Sequence, residues 1–68
     1  MELSAVLTPT AKGGFVALNP ETGTTTQGDT LEEALANLRE ATELYLEECP
    51  MEVVGRSLLT TIHVGVHA

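Results

Sequence analysis

The stretch TQGDTLEEALANLREATELYLEE, running from Thr26 to Glu48, decides how the rest of this 68-residue chain is arranged. Thr30 offers a hydroxyl to the free amides of a first helical turn. Glu33 stands three residues on, the spacing of a capping box. Glu32 and Glu33 also place negative charge at the positive end of the helix dipole. At about 100° per residue, Leu31, Ala34, Leu35, Leu38, Ala41, Thr42, Tyr45, Leu46 and Cys49 fall on one face. Pro50 closes the run, because proline disfavours helical geometry at the residue before it. The spacing predicts one amphipathic helix with its apolar face against a sheet.

The opposite face is almost entirely acidic. Glu32, Glu33, Glu40, Glu43, Glu47 and Glu48 lie on the outward arc, with Arg39 placed to pair with Glu43 alone. Like charges at Glu43 and Glu47 oppose helix formation slightly, so the bias does not serve the helix itself. Leu44 falls roughly 220° from Leu31, in the middle of that arc. A single exposed leucine is ordinary on a protein surface. The sharper reading makes Glu40, Glu43, Leu44 and Glu47 a partner-binding patch, an apolar anchor rimmed by carboxylates.

Working outward, ELSAVLT alternates, with Leu3, Ala5 and Leu7 on one side and Ser4, Val6 and Thr8 on the other, as a half-buried strand does. Gly13 and Gly14 supply a hairpin turn through positive φ. Phe15 to Leu18 forms a second strand stopped by Asn19-Pro20, Gly23 marks another turn, and Thr24 to Gln27 gives a short third strand. Beyond the helix, MEVVGRS reads as a connector with Gly55 as its flexible point. LLTTIHVGV alternates again, with Leu58, Thr60, Ile62, Val64 and Val66 on one face and Leu59, Thr61, His63, Gly65 and His67 on the other. The expected fold is α+β, ordered β-β-β-α-β: an antiparallel meander, one helix, and a last strand returning beside the first. One domain over residues 1–68 accommodates all of it.

Composition narrows the function. Ten acidic residues against three basic ones give a net charge of −7, and Lys12, Arg39 and Arg56 are scattered. Phosphate backbones call for clustered Lys and Arg, so direct nucleic-acid binding is not expected. A basic protein partner suits the charge; a merely solubilising surface suits it as well. Only Phe15 and Tyr45 are aromatic, so the core is aliphatic and thin. One helix covers one face of a sheet, leaving the other, with Val6, Thr8, Leu59, Thr61 and His63, to be wetted or covered. A homo-oligomer, dimer or tetramer, is the expectation. Nothing approaches the roughly 18 apolar residues of a membrane span, and MELSAVLTPTA has no basic leader, so a cytoplasmic location without membrane association is expected.

GGFVALNPE, followed by TQGDTLEEALANLREATELYLEE, resembles the HicB-like antitoxin family. Its members carry a Gly-Gly-aromatic-Val-Ala strand, a Pro-Glu pair, and a Gly-Asp-Thr start to a helix rich in Glu, Ala and Leu. The likeness runs from Gly13 to about Glu48 and is most specific at Gly28 to Ala34. It implies a partial ribonuclease H-like fold and an antitoxin-like role, binding and neutralising a small basic mRNA-cleaving toxin of the HicA type. Two departures accompany it. TGTT, with a one-residue shortening, stands where members have Leu-Pro-Gly-Cys. The helix-turn-helix or ribbon-helix-helix that binds promoter DNA in many members has no counterpart in these residues, so the resemblance supports the binding fold better than it supports autoregulation. The other reading, from the residues alone, is a stand-alone homo-oligomeric structural or interaction protein with no toxin partner.

Catalysis has little to rest on. Two-metal nuclease chemistry needs carboxylates converging on two ions, and active enzymes of the implied fold carry an acid in the middle of the first strand. Here that strand holds Leu3 to Leu7, Glu2 lies at its edge, and Asp29, the sole aspartate, sits at a helix start. His63 and His67 share a strand face without a third ligand, so a polar sheet face is favoured over zinc. Cys49, the only cysteine, cannot form an internal disulfide, and the helix C-terminus beside it discourages a thiolate. KGG and TGTTTQG match no phosphate-binding loop. No enzyme activity, cofactor or metal is expected.

Overall fold

Local chemistry sets three short strands in order. In the computed structural model, which describes residues 2–52 and 55–66, β1 (Val6–Pro9), β2 (Phe15–Leu18) and β3 (Thr25–Gly28) form one antiparallel sheet in the order β1-β2-β3. Gly13, with φ +95°, turns the first hairpin, and its amide donates to the Thr10 carbonyl at 3.1 Å. Gly14 has a different job from the expected positive φ: a Cβ there would sit 2.8 Å from the Gly28 carbonyl oxygen. Gly23, φ +79°, turns the second hairpin.

The pairing register places Leu7, Ala17 and Thr26 in one row and Pro9, Phe15 and Gly28 in the next, all on the side that meets the helix. Small groups on β2 and β3 let α1 (Leu31–Glu48) come close. Thr26 donates its hydroxyl to the Ala34 carbonyl at 3.2 Å, and the Asn37 amide donates to the Gln27 carbonyl at 2.9 Å. A Cβ at Gly28 would lie 2.5 Å from the Ala34 nitrogen, so that strand end touches the helix backbone directly. Ala17, Ala34 and Leu38 form the buried core, with Leu7 and Phe15 packed against it. Burying one leucine of this kind contributes about 1.5–3 kcal/mol; the core is as thin as the composition implies.

The helix begins and ends where its sequence predicts. Thr30 accepts from the Glu33 amide at 3.1 Å. The Glu33 carboxylate reaches past the cap residue to the Asp29 N–H, at 3.0 Å. At the other end the Cys49 N–H closes on the Tyr45 carbonyl at 2.8 Å, ahead of Pro50. Of the predicted apolar face, Ala34, Leu38 and Thr42 are buried, whereas Leu31, Leu35, Tyr45 and Cys49 are exposed. The helix packs chiefly on β3 and β2, so the sheet is too narrow to cover its whole stripe.

Two expectations are corrected. The first strand starts at Val6 instead of Glu2, because side chains of the β2–β3 turn take the ladder's place beside Ser4. Its amide and hydroxyl donate to the Glu21 carboxylate at 2.9 and 2.8 Å, and its carbonyl accepts from Asn19 at 2.8 Å. The second correction is larger. Residues 55–66 form no strand, and the order among the described residues is β-β-β-α. Leu58, Leu59, Ile62, Val64 and Val66 are between 71% and 90% exposed. An alternating pattern becomes a strand only when an edge hydrogen-bonds it, and within this chain no edge reaches these residues. His67 lies outside the described residues.

Candidate protein-binding surfaces

Packing α1 by its apolar stripe turns the acidic arc outward. Glu32, Glu33, Glu40, Glu43, Glu47 and Glu48 are all exposed. Arg39 Nε approaches Glu43 Oε1 at 3.6 Å with both side chains largely in solvent, a pairing that water and salt screen heavily. No other basic side chain pairs with the arc among the described residues. Leu44 stands within it at 57% exposed. The four sequence-predicted residues, Glu40, Glu43, Leu44 and Glu47, are thus brought together on one open helix surface.

A second feature borders the first. Between α1 and the segment before β1 runs a groove of about 570 Å³, walled by Leu3, Ala5, Leu35, Leu38, Thr42 and Leu46. Thr42 is only 7% exposed, and its hydroxyl has no hydrogen-bond partner. Buried hydroxyls are normally satisfied, so the helix wall presents an apolar surface with one unmet polar group, beside the hydrogen-bonded Ser4 and Asn19. Arg39 and Glu43 form its rim on the arc side. The helical spacing placed Leu35, Leu38, Thr42 and Leu46 on one face, but only the structure shows that the sheet stops short of them.

Ser4 and Asn19, which also line the groove, belong to a polar cluster that the helical and strand patterns do not reveal. Asn19 is 1% exposed, the largest fully buried side chain. Its amide donates to the Ser4 carbonyl at 2.8 Å and to Glu21 Oε1 at 2.7 Å, and its Oδ1 accepts from the Thr22 N–H at 2.9 Å. Glu21 also accepts from the Ser57 hydroxyl. These donors, Ser57 first and then the Ser4 N–H, hold the Glu21 carboxyl down from 4.5 to about 2. The signal was present in NPET, since an Asn two or three residues before a turn's threonine folds back on its own backbone.

The remaining candidates stay apart. Asp29 is exposed and His63 lies on the exposed C-terminal segment, far in sequence from any cluster. Among the described residues no three of His, Cys, Asp and Glu converge as a metal site would require, and no helix is long and apolar enough to cross a membrane. No family model, curated protein or solved structure matches the chain.

Proposed function

We propose that this chain is an antitoxin-like protein-interaction module of the HicB-like kind, which binds and neutralises a small basic mRNA-cleaving toxin of the HicA type. The observation that carries the reading is the uncompensated arc of α1. Glu40, Glu43, Glu47 and Glu48 flank the exposed Leu44 on the helix surface, and among the described residues a single weak pair, Arg39 with Glu43, offsets them. A charge field of this sign draws in a basic partner and rejects an acidic one, while an apolar residue at its centre supplies the contact that keeps the partner bound. The resemblance from Gly13 to about Glu48 supports the same reading, as do the turn glycines and the capped helix. In this reading the module lies in the cytoplasm, binds no nucleic acid directly and catalyses nothing. The β1 segment carries no acid, and Asp29 contributes its backbone amide to the helix start.

Purification of the untagged protein from its own host, followed by mass spectrometry of what accompanies it, tests the proposal. A stoichiometric small basic protein whose ribonuclease activity the complex suppresses is the expected outcome. Recovery of this chain alone, at concentrations where it is folded, would sink it. The second reading, a homo-oligomeric interaction protein without a toxin, is favoured by the exposed apolar C-terminal segment, and recovery of an oligomer alone would establish it.

A further inference from the structure

We infer that residues 58–66 are an exchange arm: in solution this segment of one copy occupies the groove between α1 and the β1 side of a second copy. The inference is independent of any toxin. It starts from surface. A compactly folded 7.2 kDa chain exposes about 4,100 Å², whereas this one exposes 5610 Å². Its radius of gyration is 14.0 Å, against about 11 Å for a compact chain of this length. The excess, about 1,500 Å² per chain, is more than the roughly 800 Å² that each partner buries in a stable interface of standard size.

The arm and the groove are matched in kind. Leu58, Ile62, Val64 and Val66 would share one face of an extended segment and are exposed. Only Leu59 is a large apolar side chain on the other face, so one apolar wall would cover most of the arm's apolar surface. β1 is an edge of the sheet, so its outer side is open to a further strand. Beside it the groove offers Leu3, Ala5, Leu35, Leu38 and Leu46 as the wall, and the Thr42 hydroxyl as a group lacking a partner. An added backbone brings both the apolar cover and a hydrogen-bond partner for that hydroxyl.

Position and charge select a second copy as the occupant. The arm's root lies beside the groove, where Arg56 pairs with Glu2 of the groove lining and Ser57 donates to Glu21. From there the arm runs outward with both faces in solvent. Nine extended residues span about 30 Å, enough to reach a neighbour's edge. All ten acidic residues lie at or before Glu52, whereas residues 55–66 contain Arg56, His63 and no acid. Two copies repel through their acidic bodies, and the arm is the part of each that approaches the other's body without that penalty.

The test uses the full chain. Sedimentation at micromolar concentration should give twice the 7.2 kDa chain mass or a higher even multiple. Ile62 is the sole isoleucine, so its δ-methyl is a single marker. In a mixture of 13C-labelled and unlabelled chains, isotope-filtered NOEs should connect it to Leu35, Leu38 or Leu46 of the other copy. The double variant Ile62→Asp, Val64→Asp changes only exposed positions; it should keep the helical circular dichroism and sediment at the single-chain mass. A monomeric wild type, an oligomer whose Ile62 contacts are all within one chain, or an undiminished oligomer in the double variant would each overturn the inference.

Discussion

The Asn19 side-chain amide bridges the Ser4 carbonyl, at 2.8 Å, and the Glu21 carboxylate, at 2.7 Å, from a position almost wholly out of water. One side chain thereby ties the segment before β1 to the turn between β2 and β3. Strand pairing is interrupted there, and the network stands in for it.

Asn19→Ala should therefore destabilise more than a surface change does. It strands the Ser4 carbonyl and the Thr22 amide, and a buried polar group left unpaired costs about 1–3 kcal/mol. A lower urea midpoint with an unchanged slope is the expected result. A midpoint within error of wild type would show that water replaces the amide at no cost.

Glu21 makes stability depend on pH in a defined window. Its carboxyl is held down from 4.5 to about 2 in the fold, by Ser57 first and then by Ser4. A depressed carboxyl contributes stability above its unfolded value and loses it as the pH falls through the folded one. Wild type should accordingly melt above Glu21→Gln at pH 6, and the gap should close between about pH 4.5 and pH 2. Melting curves of the pair across that range check it; a gap that persists at pH 2 would contradict the assignment.

Gly28 is required by closeness. A Cβ there meets the Ala34 nitrogen at 2.5 Å and the Glu33 carbonyl carbon at 2.9 Å, both backbone atoms that cannot swing away. Gly28→Ala should cost about 1–3 kcal/mol, the range for overpacking a close contact. Gly55→Ala, with nothing within 4 Å, should change stability by less than about 0.5 kcal/mol. Chemical denaturation of both variants separates steric need from simple chain entropy.

The acidic arc and Leu44 should act on different halves of a binding reaction. Replacing Glu40, Glu43 and Glu47 with Gln should slow association with the co-purified basic partner and flatten its salt dependence, since charge of this kind is screened beyond about 8 Å at physiological ionic strength. Leu44→Ala should speed dissociation about tenfold or more if the leucine is a central anchor. Stopped-flow or surface-based kinetics at low and high salt distinguish the two. Unchanged on-rates in the triple variant would return the arc to a solvated surface.

Much of the fold was legible because its cues are local. The cap at Thr30, the stop at Pro50, the turn at Gly13 and the strand Phe15–Leu18 each depend on a few neighbouring residues. What escaped depends on partners distant in sequence. Asn19 reads as a strand stop until Ser4 is found beside it, and Gly14 reads as a turn residue until Gly28 is found against it. Leu58 to Val66 carries a strand's alternation, but alternation reports the environment a segment suits and leaves open which chain supplies the edge. The patch of Glu40, Glu43, Leu44 and Glu47 was readable for a related reason: helical periodicity fixes a face regardless of what meets it.

The meander followed at once by α1 has a kinetic corollary. β1 with β2, β2 with β3 and β3 with α1 are all neighbours along the chain, and the main contact that skips an element is the packing of α1 on β2. Chains built from such short-range closures fold quickly, because little loop entropy is lost before contacts form. The sheet and α1 can therefore close before the residues beyond α1 are placed. Refolding should mirror that order: a fast phase independent of protein concentration, then a slower one whose rate rises with concentration as finished bodies find each other's arms.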